Sequence, residues 1–124
     1  MKRNIDLYLE DVLKSIQTIE EFTKNTDRNK FLKDKLKQRA VERELEIIGE
    51  TIKFIPTTLK KEYPKIPWRN IAGLRDVLIH AYFGIIPERI WGVIKKDLPA
   101  LKKQIKNIKI EKTTKPDKEF YKKS

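Results

Sequence analysis

The sequence predicts an all-α protein, a four- to five-helix up-down bundle. Apolar residues recur at intervals of three and four over long stretches, the spacing of a one-sided helix. The 124 residues hold only four Gly, and the six Pro, at 56, 64, 67, 87, 99 and 116, fall at the ends of those stretches. No run alternates with the period of two that a half-buried strand needs, and no internal repeat appears. At roughly 100 to 200 residues per domain, the length predicts a single domain.

Each element follows in chain order. Ile5, Tyr8, Leu9, Val12, Ile16, Ile19 and Phe22 form the apolar stripe of a first helix. Asn25, Thr26 and Asp27 offer N-caps for a second, whose stripe of Phe31, Leu32, Leu36, Ala40, Val41, Leu45, Ile48 and Ile52 runs over more than six turns before Pro56. The segment TTLKKEYPKIP, with its two prolines, reads as a connection in which Tyr63 covers the edge of the core. A third helix starts near Pro67 or Trp68, since Pro is favoured in a first turn. It carries Trp68, Ile71, Leu74, Leu78 and Ala81 to a stop at Gly84. Pro87 and Glu88 open a fourth, with Ile90, Trp91, Val93, Ile94 and Leu98 packing inward. Pro99 should kink or split it before Leu101, Ile105 and Ile108 continue the pattern. Residues 1–110 are therefore expected to form the helical domain, and 111–124 a basic, flexible C-terminal tail.

Composition closes several routes. With no Cys there is no disulfide, no thiolate metal site and no cysteine nucleophile, in keeping with a reducing compartment. A single His cannot build a His-rich metal cage, and no cofactor is expected. Asp6, Glu10 and Asp11 interrupt the basic N-terminus, and no window approaches the roughly 20 apolar residues of a membrane span. A cytoplasmic protein without membrane contact is expected.

The 29 Lys and Arg exceed the 18 Asp and Glu by 11. The excess is local: Lys95–Ser124 holds eleven Lys against four acids, and Lys24–Arg39 holds seven basic residues against two. Two such patches are either solvated faces or places where a polyanion such as RNA approaches.

Reactive groups concentrate in one window: Arg75, Asp76, His80 and Tyr82. Asp76 and His80 are four apart, on one helix face, so the carboxylate is placed to hold one ring nitrogen and set the tautomer. Alternatively, Asp76 pairs with Arg75 or Arg69. Arg75 and Tyr82, seven apart, share another face, turned from the first by roughly 120 to 140° at about 100° per residue. A compact Arg-His-Tyr site therefore requires either a looser helix near Tyr82 or a second chain. Cleavage of RNA without a metal, by attack of the ribose 2′-OH on phosphorus, needs a proton acceptor, a proton donor and a cation. One chain has one His. A twofold dimer supplies two His and two Arg, and Arg suits the role because it stays charged and grips two phosphate oxygens.

RDVLIHAY (Arg75 to Tyr82) resembles the signature of HEPN-domain ribonucleases: Arg, four residues, His, any residue, Tyr. AVERELEIIGE, IPWRNIAGLRDVLIHAYFG and IWGVIKKDLPAL resemble, in the same order, the HepT-like toxin branch of that family, with coverage from about Ile5 to Ile108. The resemblance implies a toxin that is a metal-independent endoribonuclease, a homodimer in which Arg75 and His80 of two chains face each other. It implies as partner a minimal nucleotidyltransferase antitoxin of the MNT type, which transfers AMP to Tyr82. Phosphates added beside Arg75 would occupy the substrate's place.

A charged stripe on the second helix, Arg39, Arg43, Glu46 and Glu50, reads as a solvated, ion-paired face. Its members Glu50 and Arg43 are also candidate supports of the site, Glu50 by holding Arg75 or His80. Trp68 and Trp91 read as core or interface anchors rather than base-stacking platforms. The alternative function is a non-catalytic helical adaptor, or the antitoxin partner, of a nucleotidyltransferase.

Overall fold

The computed structural model describes residues 4–79 and 87–114, and every regular element among them is helical. In order these are α1 (Ile5–Thr23), α2 (Arg28–Lys33), α3 (Lys35–Lys53), α4 (Thr57–Glu62), α5 (Trp68–Ile79), α6 (Pro87–Gly92), a π-helical turn (Val93–Asp97) and α7 (Leu98–Thr114). Ala81 and Gly84, expected at the end of the third helix, lie outside the described residues.

α3 is the central element, packed most extensively on α1 and α5. Its stripe of Val41, Leu45, Ile48 and Ile52 meets Leu9, Val12, Ile16 and Ile19 of α1 and Ile105 and Ile108 of α7, all essentially inaccessible, in one core. Burying each such side chain stabilises the fold by about 1.5–3 kcal/mol before conformational entropy is subtracted. Lys102 binds Glu20 at 3.0 Å and Lys109 binds Glu10 at 3.2 Å. These pairs run in opposite order along the two helices, so α1 and α7 are antiparallel, as an up-down bundle requires. Being exposed, they fix little energy.

The structure corrects four expectations. The long second helix is two helices, because Asp34 leaves the helical region (φ −108°, ψ 89°) and its carboxylate accepts the Lys37 N–H as the N-cap of α3. A short acidic side chain satisfies the backbone better at a helix start than inside one. Gln38 bridges the break, its Nε2 donating to the Phe31 carbonyl at 2.8 Å. Asp27, an expected cap, does cap α2 by accepting the Lys30 N–H, and Asn25 makes the turn before it at φ 63°.

Two stripe residues also point outward. The break at Asp34 resets the helical phase and leaves Leu36 82% exposed in the first turn of α3, while Phe22, near the end of α1, is 37% exposed. The segment read as a connection contains α4, whose Leu59 is fully buried. Beyond it Ile66 and Trp68 enter the core, with the Trp68 indole N–H donating to the Tyr63 carbonyl at 3.0 Å.

Finally, the interruption expected at Pro99 lies earlier. Proline lacks an N–H and crowds the carbonyl four residues back, that of Lys95. Lys95 sits within the π turn, which the Leu98 N–H closes onto the Val93 carbonyl, so the extra residue is absorbed there and α7 passes through Pro99. Trp91, on α6, packs tilted on buried Phe31 at 5.3 Å, with the Lys95 ammonium 4.8 Å from its ring centre.

Candidate active site

The site begins with a glycine. Gly49, inside α3, faces α5 so closely that a β-carbon there would lie 2.9 Å from the Arg75 β-carbon, 3.1 Å from the Arg75 nitrogen and 3.2 Å from the Ile71 carbonyl oxygen. No larger residue fits without moving a helix. The approach places the root of the Arg75 side chain against α3 beside Glu50, the residue after Gly49.

From that root the Arg75 guanidinium is fixed at two points. Its Nε is ion-paired with the Glu50 carboxylate, and a terminal nitrogen lies 3.4 Å from Asp76 Oδ1. Asp76 is itself held by Lys53, whose Nζ is 3.3 Å from the same oxygen. Arg75 is one-third exposed, Glu50 and Asp76 about half, so the network sits at the surface in contact with solvent. A guanidinium has five N–H donors in a planar fork. With Nε on Glu50 and a terminal nitrogen beside Asp76, the plane of the fork is oriented, as bidentate recognition of a phosphate requires.

Arg75 and Glu50 form one wall of a cleft of about 230 Å³, completed by Arg43, Glu46, Ile47 and Thr51. Arg43 binds Glu46 at 3.1 Å across one turn of α3, and the Thr51 hydroxyl donates to the Ile47 carbonyl. The cleft is smaller than the roughly 300–1,000 Å³ that encloses a drug-sized molecule. It has room for a phosphate with part of its sugar. One turn further back, burial pushes the Glu42 carboxyl above its ordinary value of 4.5, against the pull of Arg39 and with a smaller push from Glu46.

The structure thus brings together Arg75, Asp76, Glu50 and Arg43. Among the described residues Glu50 meets Arg75, and Asp76 contacts Arg75 rather than Arg69. His80 and Tyr82 lie outside the described residues. Sequence reasoning missed Gly49 and Lys53. A glycine inside strong helix-forming sequence costs about 0.5–1 kcal/mol relative to Ala, which is a signal of close approach; Lys53 carries no comparable signal.

The chain is similar in sequence to known proteins over most of its length. The family model described as "Ribonuclease HepT-like" matches residues 12–108. The chain is 48% identical over 109 residues to "Probable ribonuclease HepT" of Thermococcus cleftensis, covering 88% of this chain and 99% of that one. It is 41% identical over 104 residues to "Putative RNase MJ1380" of Methanocaldococcus jannaschii, covering 84% and 95%. No solved structure matches the chain. A match over most of the helical core, carried by relatives of nearly the same length, places this chain in the HepT-like ribonuclease family.

Proposed function

We propose that the protein is the toxin of a toxin-antitoxin pair, an endoribonuclease that works without a metal as a twofold dimer. The observation that carries the reading is Arg75, held by Gly49 and Glu50 in the wall of a cleft of about 230 Å³ and standing at the head of RDVLIHAY. Family membership supplies the reaction class, RNA cleavage.

In this reading neutral His80 of one chain takes the proton of a ribose 2′-OH, and the oxygen attacks the adjacent phosphorus. The bond from phosphorus to the 5′-oxygen breaks as protonated His80 of the other chain gives its proton to that oxygen. The products are a 2′,3′-cyclic phosphate and a 5′-hydroxyl. Arg75 stabilises the charge on the phosphorane, and Glu50 and Asp76 act as positioning residues for its guanidinium. Arg43, across the cleft, supports an adjoining phosphate. The basic stretches 24–39 and 95–124 draw the RNA in.

Control falls on Tyr82. Its phenol oxygen attacks the α-phosphorus of ATP on a partner nucleotidyltransferase, pyrophosphate leaves, and the resulting AMP ester sets a phosphate against Arg75, excluding RNA. The test is RNA cleavage in EDTA by His80→Ala and Arg75→Ala. Loss in both is expected, by about 10²-fold or more, and activity persisting in both would overturn the assignment.

A further inference from the structure

Two consecutive residues of α5 meet two residues that lie one turn apart on α3. Glu50 takes the Nε of Arg75. Lys53, three positions further and so on the same face of α3, takes Asp76. Charge alternates along the set, from ammonium to carboxylate to guanidinium to carboxylate.

One oxygen of this set serves two cations. The Lys53 ammonium lies 3.3 Å from Asp76 Oδ1, and a terminal nitrogen of Arg75 lies 3.4 Å from the same atom. Both distances exceed the roughly 2.7–2.9 Å of a charge-assisted hydrogen bond made without a competitor. Asp76 is therefore shared, closed on neither cation. Without Lys53 the balance tips: the guanidinium would stand between two carboxylates, and the cluster would carry a net negative charge. Asp76 would then close on the terminal nitrogen, occupying a donor that bidentate contact with a phosphate uses, and a phosphodiester would meet like charge. With Lys53 in place the charges of the set cancel. A lysine in the last turn of a helix also complements the carbonyl dipole. That role needs no partner on α5, yet the ammonium reaches across to one.

We propose that Lys53 is a positioning residue of the RNA-cleaving site: by drawing on Asp76 Oδ1 it keeps that carboxylate off the Arg75 fork and leaves the fork to the phosphate. The inference rests on the reading of Arg75 as the phosphate-binding group, and its test reads RNA binding separately from cleavage.

The test is a double-mutant cycle between Lys53→Gln and Asp76→Asn in the full-length protein. Asn keeps an oxygen in the place of Oδ1 and removes the charge that has to be held. Two quantities are read: affinity for a short 2′-O-methyl oligoribonucleotide, which cannot be cleaved by 2′-OH attack, and kcat/KM on cleavable RNA. Lys53→Gln should lower both by about 3- to 10-fold, the scale of one unit charge acting through partly solvated surroundings. Lys53→Arg should retain both. In the Asp76→Asn background the same Lys53→Gln change should cost less than about twofold, the scatter between independent sites. Unaltered binding and cleavage in Lys53→Gln would overturn the proposal. So would an equal loss in both backgrounds, since Lys53 would then touch RNA itself. A loss that follows a fall in Tm, whichever residue stands at 76, would overturn it as well, leaving Lys53 a helix-end charge. If the cycle shows the coupling in binding while the wild type leaves cleavable RNA intact, the role of Lys53 stands and the ribonuclease reading fails.

Discussion

Gly49→Ala is the substitution most sensitive to how the site is built. The added β-carbon meets the Arg75 β-carbon at 2.9 Å and two backbone atoms of α5 at 3.1 and 3.2 Å, where ordinary contact begins near 3.5 Å. Two of the three atoms are backbone, so α5 must shift rather than a side chain rotate. Overpacking of this kind costs about 1–3 kcal/mol, and replacing a mid-helix Gly returns about 0.5–1 kcal/mol. The net expectation is a destabilisation of about 0.5–2 kcal/mol, or roughly 2–8 °C in Tm for a chain of this size. The larger effect is on chemistry. A shift of several tenths of an ångström moves Arg75 off Glu50 and, in the proposed mechanism, off the phosphate, and misplacement approaching 1 Å costs up to about 10²-fold in rate. Gly73→Ala and Gly92→Ala are the controls, because a β-carbon at either meets nothing within 4 Å; both should raise Tm slightly. The assay pairs thermal denaturation with RNA cleavage under one buffer. If Gly49→Ala stabilises as the controls do and cleaves normally, the tight α3–α5 approach does not position Arg75.

Two further outcomes follow from the same geometry. Glu50→Gln should cost under about 1 kcal/mol in urea denaturation, because the pair with Arg75 is partly exposed. It should lower kcat about tenfold with little change in KM if, as proposed, Glu50 acts by orienting the guanidinium; an unchanged kcat would reduce the pair to a structural contact. Glu42→Gln tests the raised carboxyl: folding lifts its proton affinity above the ordinary value of 4.5, so the unfolded chain ionises first and stability falls as pH rises through that region. The variant should therefore be modestly more stable than wild type near neutrality and equal to it well below pH 4.5, and the reverse order would refute the burial argument.

Much of this fold is legible in the sequence because apolar periodicity reports burial directly. The stripes of α1, α3 and α7 enter the core at Leu9, Val12, Leu45, Ile48, Ile105 and Ile108 as their spacing predicts. What periodicity does not report is where a helix is cut and restarted in register with its neighbour. Leu32 and Leu36 continue a perfect pattern across Asp34, yet capping by that one carboxylate outweighs propagation and turns Leu36 to solvent. Pro99 signals a defect without saying which turn takes it up, because the crowding acts on the carbonyl four residues earlier. At the site, charge spacing makes Arg75 a candidate partner of Glu50, and the Gly49 contact, a property of two helices at once, is what brings the two together.

The central claim is that one site is completed by two chains, each lending the single His80. Its most direct test is RNA cleavage by a purified heterodimer of one wild-type and one His80→Ala chain, isolated through two different affinity tags. If one His80 serves as base and the other as acid, this species lacks one of the two proton-transfer groups and should retain no more than about 1% of wild-type activity, since each such group contributes roughly 10²–10⁴-fold. A heterodimer that keeps half the activity of the wild-type dimer would show that each chain completes its own site, and would contradict the account.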